Sequence, residues 1–163
     1  MVYPSTPLIG INLTDANSSP QQVVGVQVET TDDQSYQYAY AGAALSVGHV
    51  VHIGLSGTAQ NLTPALAATA GDIGFVQTAL ASGQYGWIAR KGRNLNIQVA
   101  ANTATGTALW TSDTAGQLTT TANTLSQYQV MGVIMSTSSS AAAGAFVGTA
   151  QAFPIIRRAA SGM

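Results

Sequence analysis

No cysteine occurs in the chain. Disulfides and thiolate metal sites are therefore excluded, and cysteine usage says nothing about redox compartment. Charge is scarce as well. Only 7% of residues are Asp, Glu, Lys or Arg, against roughly 25% in typical globular proteins. The surface must then be built largely from Thr, Ser, Asn, Gln and backbone. Little charge repulsion keeps copies apart, which suits a permanent assembly. With a net charge of −1, the chain is no general polyanion binder, and nucleic acid is not an expected partner. Long apolar runs are missing too. No window approaches about 18 uninterrupted apolar residues, so no membrane span is expected. The first residues, Met1-Val2-Tyr3-Pro4-Ser5, do not read as a signal peptide.

What is present is apolar content of 46% spread over 163 residues, enough to bury the core of one domain. It comes in short runs punctuated by glycine, which is the habit of β-proteins. Three parts are expected: an N-terminal arm over 1–20, a β-domain over 21–150 and a C-terminal tail over 151–163. Pro4, Pro7 and Pro20 break regular structure in the arm, and Asp15-Ala16-Asn17-Ser18-Ser19 has loop chemistry. Leu8, Ile9, Ile11 and Leu13 give the arm an apolar strip that should dock on its own domain or on a neighbour.

Gly83 to Gly92 reads as a central strand. Tyr85 and Trp87 share one face of it, and glycines at 83 and 86 permit close backbone approach. Tyr85, Trp87 and Trp110 are candidate core residues, because buried aromatics are usually packing. Strands at about 73–80 and 83–90 should form a hairpin over Ala81-Ser82-Gly83. Lys91-Gly92-Arg93-Asn94 then reads as a turn with exposed basic side chains. It leads into Asn94-Leu95-Asn96-Ile97-Gln98-Val99, which alternates with Leu95, Ile97 and Val99 inward. Earlier in the chain, Thr30 to Ser35 reads as a turn. Tyr36, Tyr38 and Tyr40 share one face of the strand that follows, either as packing or as a strip for sugar rings. Pro64 to Ala70 is the one helical turn, capped by Thr63 and ended by Gly71. Thr107–Ser112 and Gln117–Thr120 pair across Asp113-Thr114-Ala115-Gly116. Tyr128–Thr137 has apolar residues on both parities, which suggests burial on both faces. The sum is about ten short strands with at most one short helical turn, an all-β sandwich or barrel.

The chemistry of an active site is not found. No Gly-x-Ser-x-Gly elbow, phosphate loop or dinucleotide fingerprint occurs. His49 and His52 sit three apart and point to opposite faces of a regular strand, which argues against a shared metal. No catalytic, cofactor or metal residue is assigned, and the chain is not expected to be an enzyme. Its charges are nevertheless unevenly placed. All five basic residues fall in two clusters, Arg90, Lys91 and Arg93, then Arg157 and Arg158. Glu29, Asp32 and Asp33 form the one acidic cluster. Arg157 and Arg158 lie just after a second apolar segment, Phe153, Pro154, Ile155 and Ile156. Both apolar segments, with the charged clusters, are candidate interface. Docking of the apolar side chains between subunits should dominate, with cross-subunit pairing of Arg157 or Arg158 to Glu29, Asp32 or Asp33 fixing register.

Several segments resemble the cement, or decoration, proteins of tailed-phage capsids. They are Ala43–Val51, Ile73-Gly74-Phe75-Val76, Gly83-Gln84-Tyr85-Gly86-Trp87-Ile88, Gly106–Trp110, Ala115-Gly116-Gln117-Leu118 and Val130–Ile134. The likeness covers roughly residues 40–150, and it lies in the order and spacing of the pieces. It implies a small, commonly trimeric β-domain on the outer capsid surface, partnered with the major capsid protein and needing no cofactor. The arm and the Arg157-Arg158 tail lie outside it. The rival expectation is a glycan-binding phage surface or tail adhesin module that uses Tyr36, Tyr38 and Tyr40.

Overall fold

A computed structural model describes residues 11–121, 127–139 and 143–158, Arg158 by its backbone alone. The protein is all-β. Its strands are β1 (Ala16–Asn17), β2 (Gln27–Glu29), β3 (Ser35–Ala41), β4 (Val50–Gly54), β5 (Thr58–Asn61), β6 (Gly71–Phe75), β7 (Tyr85–Val99), β8 (Leu109–Thr111), β9 (Leu118–Thr119), β10 (Tyr128–Met135) and β11 (Gly144–Arg158). One helical turn, α1 (Pro64–Ala67), sits between β5 and β6. It begins as the sequence indicates: Thr63 caps it, its Oγ1 accepting from the Leu66 N–H at 3.2 Å.

Of the two architectures expected, a barrel is found. Strands β7, β6, β4, β5 and β3 pair in that order, and β3 returns to β7 to close a five-stranded barrel. A barrel of so few strands has a narrow interior, which side chains must fill completely. Small residues meet that limit. Ala39, Ala41 and Ala59 lie inside with Val51, Ile53 and Ile88, and Leu45, Val76 and Leu80 complete this core. Gly74 faces the same interior, where a Cβ would collide with Ile88.

The surprise is the length of β7. Lys91–Asn94 is not a turn: the strand runs without a break from Tyr85 to Val99. The expected hairpin over Ala81–Gly83 is absent, because β6 meets β7 only at Phe75↔Ala89 and pairs instead along β4. Gly92 (φ 152°) and Asn94 (φ 56°) take positive φ and irregularise the strand rather than reverse it. Beyond them β7 joins a second ring of pairings: β7–β9, β9–β8, β8–β10, β10–β11 and β11–β7. Leu95, Ile97 and Val99 enter the larger core with Leu109, Leu118, Val130, Val133 and Met135. Trp87 and Ala89 project from the same odd-numbered face of β7 into that core, while Ile88 points into the barrel.

Tyr36 and Tyr38 lie on the outside of the barrel and join the larger core. Tyr38 is opposite Trp87 in the ladder, their rings 5.1 Å apart and tilted. Tyr85 is half-buried and stacks beside them at 6.3 Å from Tyr38. Trp110 departs from expectation. It is only half-buried, since β8 is three residues long and its flanking Leu109 and Thr111 face inward instead.

The described parts of both terminal segments, 11–20 and 151–158, are built into the domain. Ile11 and Leu13 pack against the larger core, and β1 pairs with β7 through Ala16↔Gly86. The expected boundary at 150 falls inside β11. Gly144–Ala150 pairs with β7, β10 pairs with both Gly148–Ala150 and Ile155–Arg158, and residues 151–154 bulge out of that second ladder. Opposite that bulge Gly132 takes φ +85°. The slip reverses parity in β10, so Val130 faces inward before it and Val133 and Met135 after it. Apolar residues on both parities of this strand therefore mark a bulge and not two buried faces, and Ile134 is left 41% exposed.

Trp87→Ala is expected to cost ~3–5 kcal/mol, the usual range for a buried Trp, and half-buried Trp110→Ala less than half of that; urea midpoints decide. Burial also raises the Tyr36 hydroxyl above its ordinary 10.0. The folded state then holds this proton more tightly than the unfolded chain. Its contribution to stability is intact below about pH 10 and is lost as pH rises through the folded value. Urea midpoints taken from pH 8 to 11 should fall more steeply for the native protein than for Tyr36→Phe.

Candidate interaction surface

The scarce charges are used at two places. The first is the end of the barrel. Arg90, one of the basic residues expected at the surface, is only 4% exposed. Register explains it. Ser35 pairs with Lys91 and Tyr36 with Ala89, so Arg90 is the extra residue of a bulge, and its even parity turns it toward the barrel interior. There its Nε donates to the Ile73 carbonyl at 2.9 Å, and Nη1 donates to the Gln37 side-chain oxygen. Nη1 also lies 2.9 Å from an Asp72 carboxylate oxygen, with Asp72 half-exposed. The Phe153 ring covers the guanidinium at 5.2 Å, delivered there by the β11 bulge. A planar fork with several donors can serve three acceptors at once, where a lysine ammonium would reach them poorly. Asp72 is thus a partner of the barrel plug.

The second place is a groove of about 560 Å³ between the β2–β3 turn and β7. Asp32, Asp33, Lys91 and Arg93 line it, together with Ile134 of β10 and Thr149–Gln151 of β11. Asp33, at φ 58°, pairs with Lys91 at 2.5 Å. Asp33, one of the acids expected to meet Arg157 or Arg158, thus has a partner within the chain. Exposed pairs of this kind contribute ~0–1 kcal/mol, so this one positions the turn more than it stabilises the fold. Gln34 adds a tie, its side-chain amide donating to the Arg93 carbonyl at 3.1 Å.

The remaining expected interface residues divide. Leu8 and Ile9 lie outside the described residues, as does the Arg158 side chain. Ile11, Leu13 and Ile156 are half-buried against the protein's own core. Glu29, Arg93, Arg157, Phe153 and Ile155 are exposed, Ile155 by 61%. Sequence reasoning missed further exposed aliphatics, chief among them Leu55 at 89% and Val23 at 79%. Leu55 was legible in principle: it sits in Gly54-Leu55-Ser56-Gly57, a two-residue turn whose central side chains have nowhere to bury. Val24, next to Val23, lies against Gly57 of that turn.

Tyr36, Tyr38 and both histidines have partners within the chain. Tyr36 and Tyr38 are buried, and their hydroxyls are engaged by the Gln34 side chain and the Gln21 N–H. They present no face to a sugar ring. His49 bonds the Asn61 oxygen at 2.8 Å, and His52 lies 3.3 Å from the Thr69 hydroxyl. Among the described residues no three His, Cys, Asp or Glu side chains converge. Compared with protein-family models and with curated protein sequences, the chain matches none.

Removing the barrel plug should be costly. Arg90→Ala leaves the buried Gln37 amide and the Ile73 carbonyl without a donor, and a loss of ~3 kcal/mol or more is expected. Phe153→Ala removes only a partly exposed cover and should cost ~1 kcal/mol. Guanidinium denaturation of both variants checks the order.

Proposed function

We propose that the protein is a non-enzymatic structural protein of a phage virion, a capsid cement or decoration protein that seats on the outer surface of the head and binds the major capsid protein. The observation that carries this reading is the character of the exposed surface. Val23, Leu55, Phe153 and Ile155 project from a rigid two-ring β-scaffold that has only 7% charged residues in all. Fixed apolar side chains on a weakly charged surface suit an interface formed once and kept. The segments that resemble decoration proteins support the same reading, and with it a homotrimer. No reaction is required of such a protein. It binds the assembled shell in preference to looser states and so stabilises the shell by mass action, multiplied over many copies.

Electron microscopy of virions labelled for this protein tests the proposal. Regularly spaced copies over the head are expected, with three copies per particle from light scattering of the purified protein. Added to heads that lack it, the protein should raise their disruption temperature. Label confined to a tail tip would support a glycan-binding adhesin instead, and turnover of a glycan would overturn both.

A further inference from the structure

The path of strand pairing has two open ends. At one, β2 pairs only with β3. At the other, Ile155–Arg158 of β11 pairs only with β10, because the ladder to β7 stops at Ala150. Among the described residues no further backbone hydrogen bond reaches 27–29 or 155–158. Each edge thus leaves, among the described residues, N–H and C=O groups without a strand partner, the kind of edge to which another strand can add. The two edges differ in charge. Glu29 is exposed on β2, with Asp32 exposed in the turn beyond it, and Arg157 is exposed on β11. None of the three joins a salt bridge among the described residues. Each edge also carries apolar side chains, Val23 and Val26 before β2, and Phe153 and Ile155 on β11.

We propose that copies of this chain associate head to tail, the outer edge of β2 in one copy adding to the Ile155–Arg158 edge of the next, with Glu29 facing Arg157. The occupant is a second copy because the two edges complement each other in ladder groups, in apolar side chains and in sign. A contact between two different patches is heterologous, so it closes into a ring or continues as a filament. Strand addition supplies main-chain hydrogen bonds, the aliphatic side chains supply desolvated area, and the charge pair sets register. This deepens the self-association part of the proposal above. It is tested on purified protein with no capsid present, so failure to bind heads would leave it standing.

Light scattering across a concentration series reads the assembly. Glu29→Arg and Arg157→Glu should each weaken it about tenfold, since each sets like charges face to face. The doubly reversed chain should return to within about threefold of the native protein. Both positions are exposed, and unchanged melting midpoints at high dilution would confirm that each variant folds. The absence of native cysteine permits a second reading. Glu29→Cys mixed with Arg157→Cys should cross-link under oxidation, and neither should link to itself. A native protein that stays monomeric, single reversals without effect, a double reversal no better than the singles, or self-linking of either cysteine variant would each overturn the proposal.

Discussion

One strand has to serve two closed rings, and most of the structure follows from that. From Tyr85 to about Lys91, β7 is a stave of the five-stranded barrel. From Gly92 to Val99 it is a stave of the second ring. Such a strand has no solvent face along much of its length. Its even-numbered side chains must be small or shaped for the barrel, and its odd-numbered ones must fill the larger core. Ile88 and the glycine at 86 meet the first demand, and Trp87, Leu95, Ile97 and Val99 meet the second. The strand must also leave one ring and enter the other. The irregularity at Arg90 to Asn94 does this, with two positive-φ residues in a short span.

The same transition explains why a guanidinium is buried in a protein so poor in charge. Where β7 departs from the barrel, β6 keeps a single pairing with it at Phe75↔Ala89. The end of the barrel is left with a carbonyl and a glutamine side chain to satisfy. An aliphatic residue would fill the space and leave both unpaired, at ~1–3 kcal/mol for each buried group. Arg90 supplies donors to both and keeps its charge balanced by Asp72 at the solvent boundary. Phe153 then excludes water from the guanidinium face. Through that contact the plug also holds the second ring's β11 against the barrel, so one side chain ties both rings together.

Local features were legible in the sequence. The Thr63-Pro64 helix start, the Leu109–Thr119 hairpin and the alternation over Leu95, Ile97 and Val99 are set by near neighbours, and each is found. Bulges were not legible as bulges. Lys91-Gly92-Arg93-Asn94 has the composition of a turn because a bulge and a turn both require residues that tolerate positive φ. Only pairing partners far along the chain distinguish them. Gly132 hides in the same way: a one-residue slip exchanges the faces of β10, so the pattern reads as burial on both sides. Arg90 was misread for a related reason. Its partners Asp72, Gln37 and Phe153 are distant in sequence, and nothing within its own neighbourhood separates it from Lys91 and Arg93, which do reach the groove. Glu29, Arg157 and Ile155 are exposed, and their exposure depends on strand parity and edge position more than on distant partners.

Scarcity of charge gives each remaining charge more weight in deciding which surfaces can meet. On an ordinary surface with roughly a quarter of its residues charged, one Glu or Arg is lost among many, and edges are blunted by lysines. Here Arg90 is consumed by the barrel plug and Lys91 by Asp33. Of the charges left exposed without an ion pair among the described residues, Glu29, Asp32, Arg93 and Arg157 fall near the groove and the two open edges, while Asp15 and Asp113 lie elsewhere. A surface of this kind discriminates by a few charges and adheres by apolar contact. That division is economical for a protein whose partners are identical copies or a repeating lattice, because each charge is presented again at every site. It would serve poorly in a protein that must remain apart from its neighbours, since exposed aliphatics such as Leu55 and Ile155 have no charged rim to keep a wrong partner away.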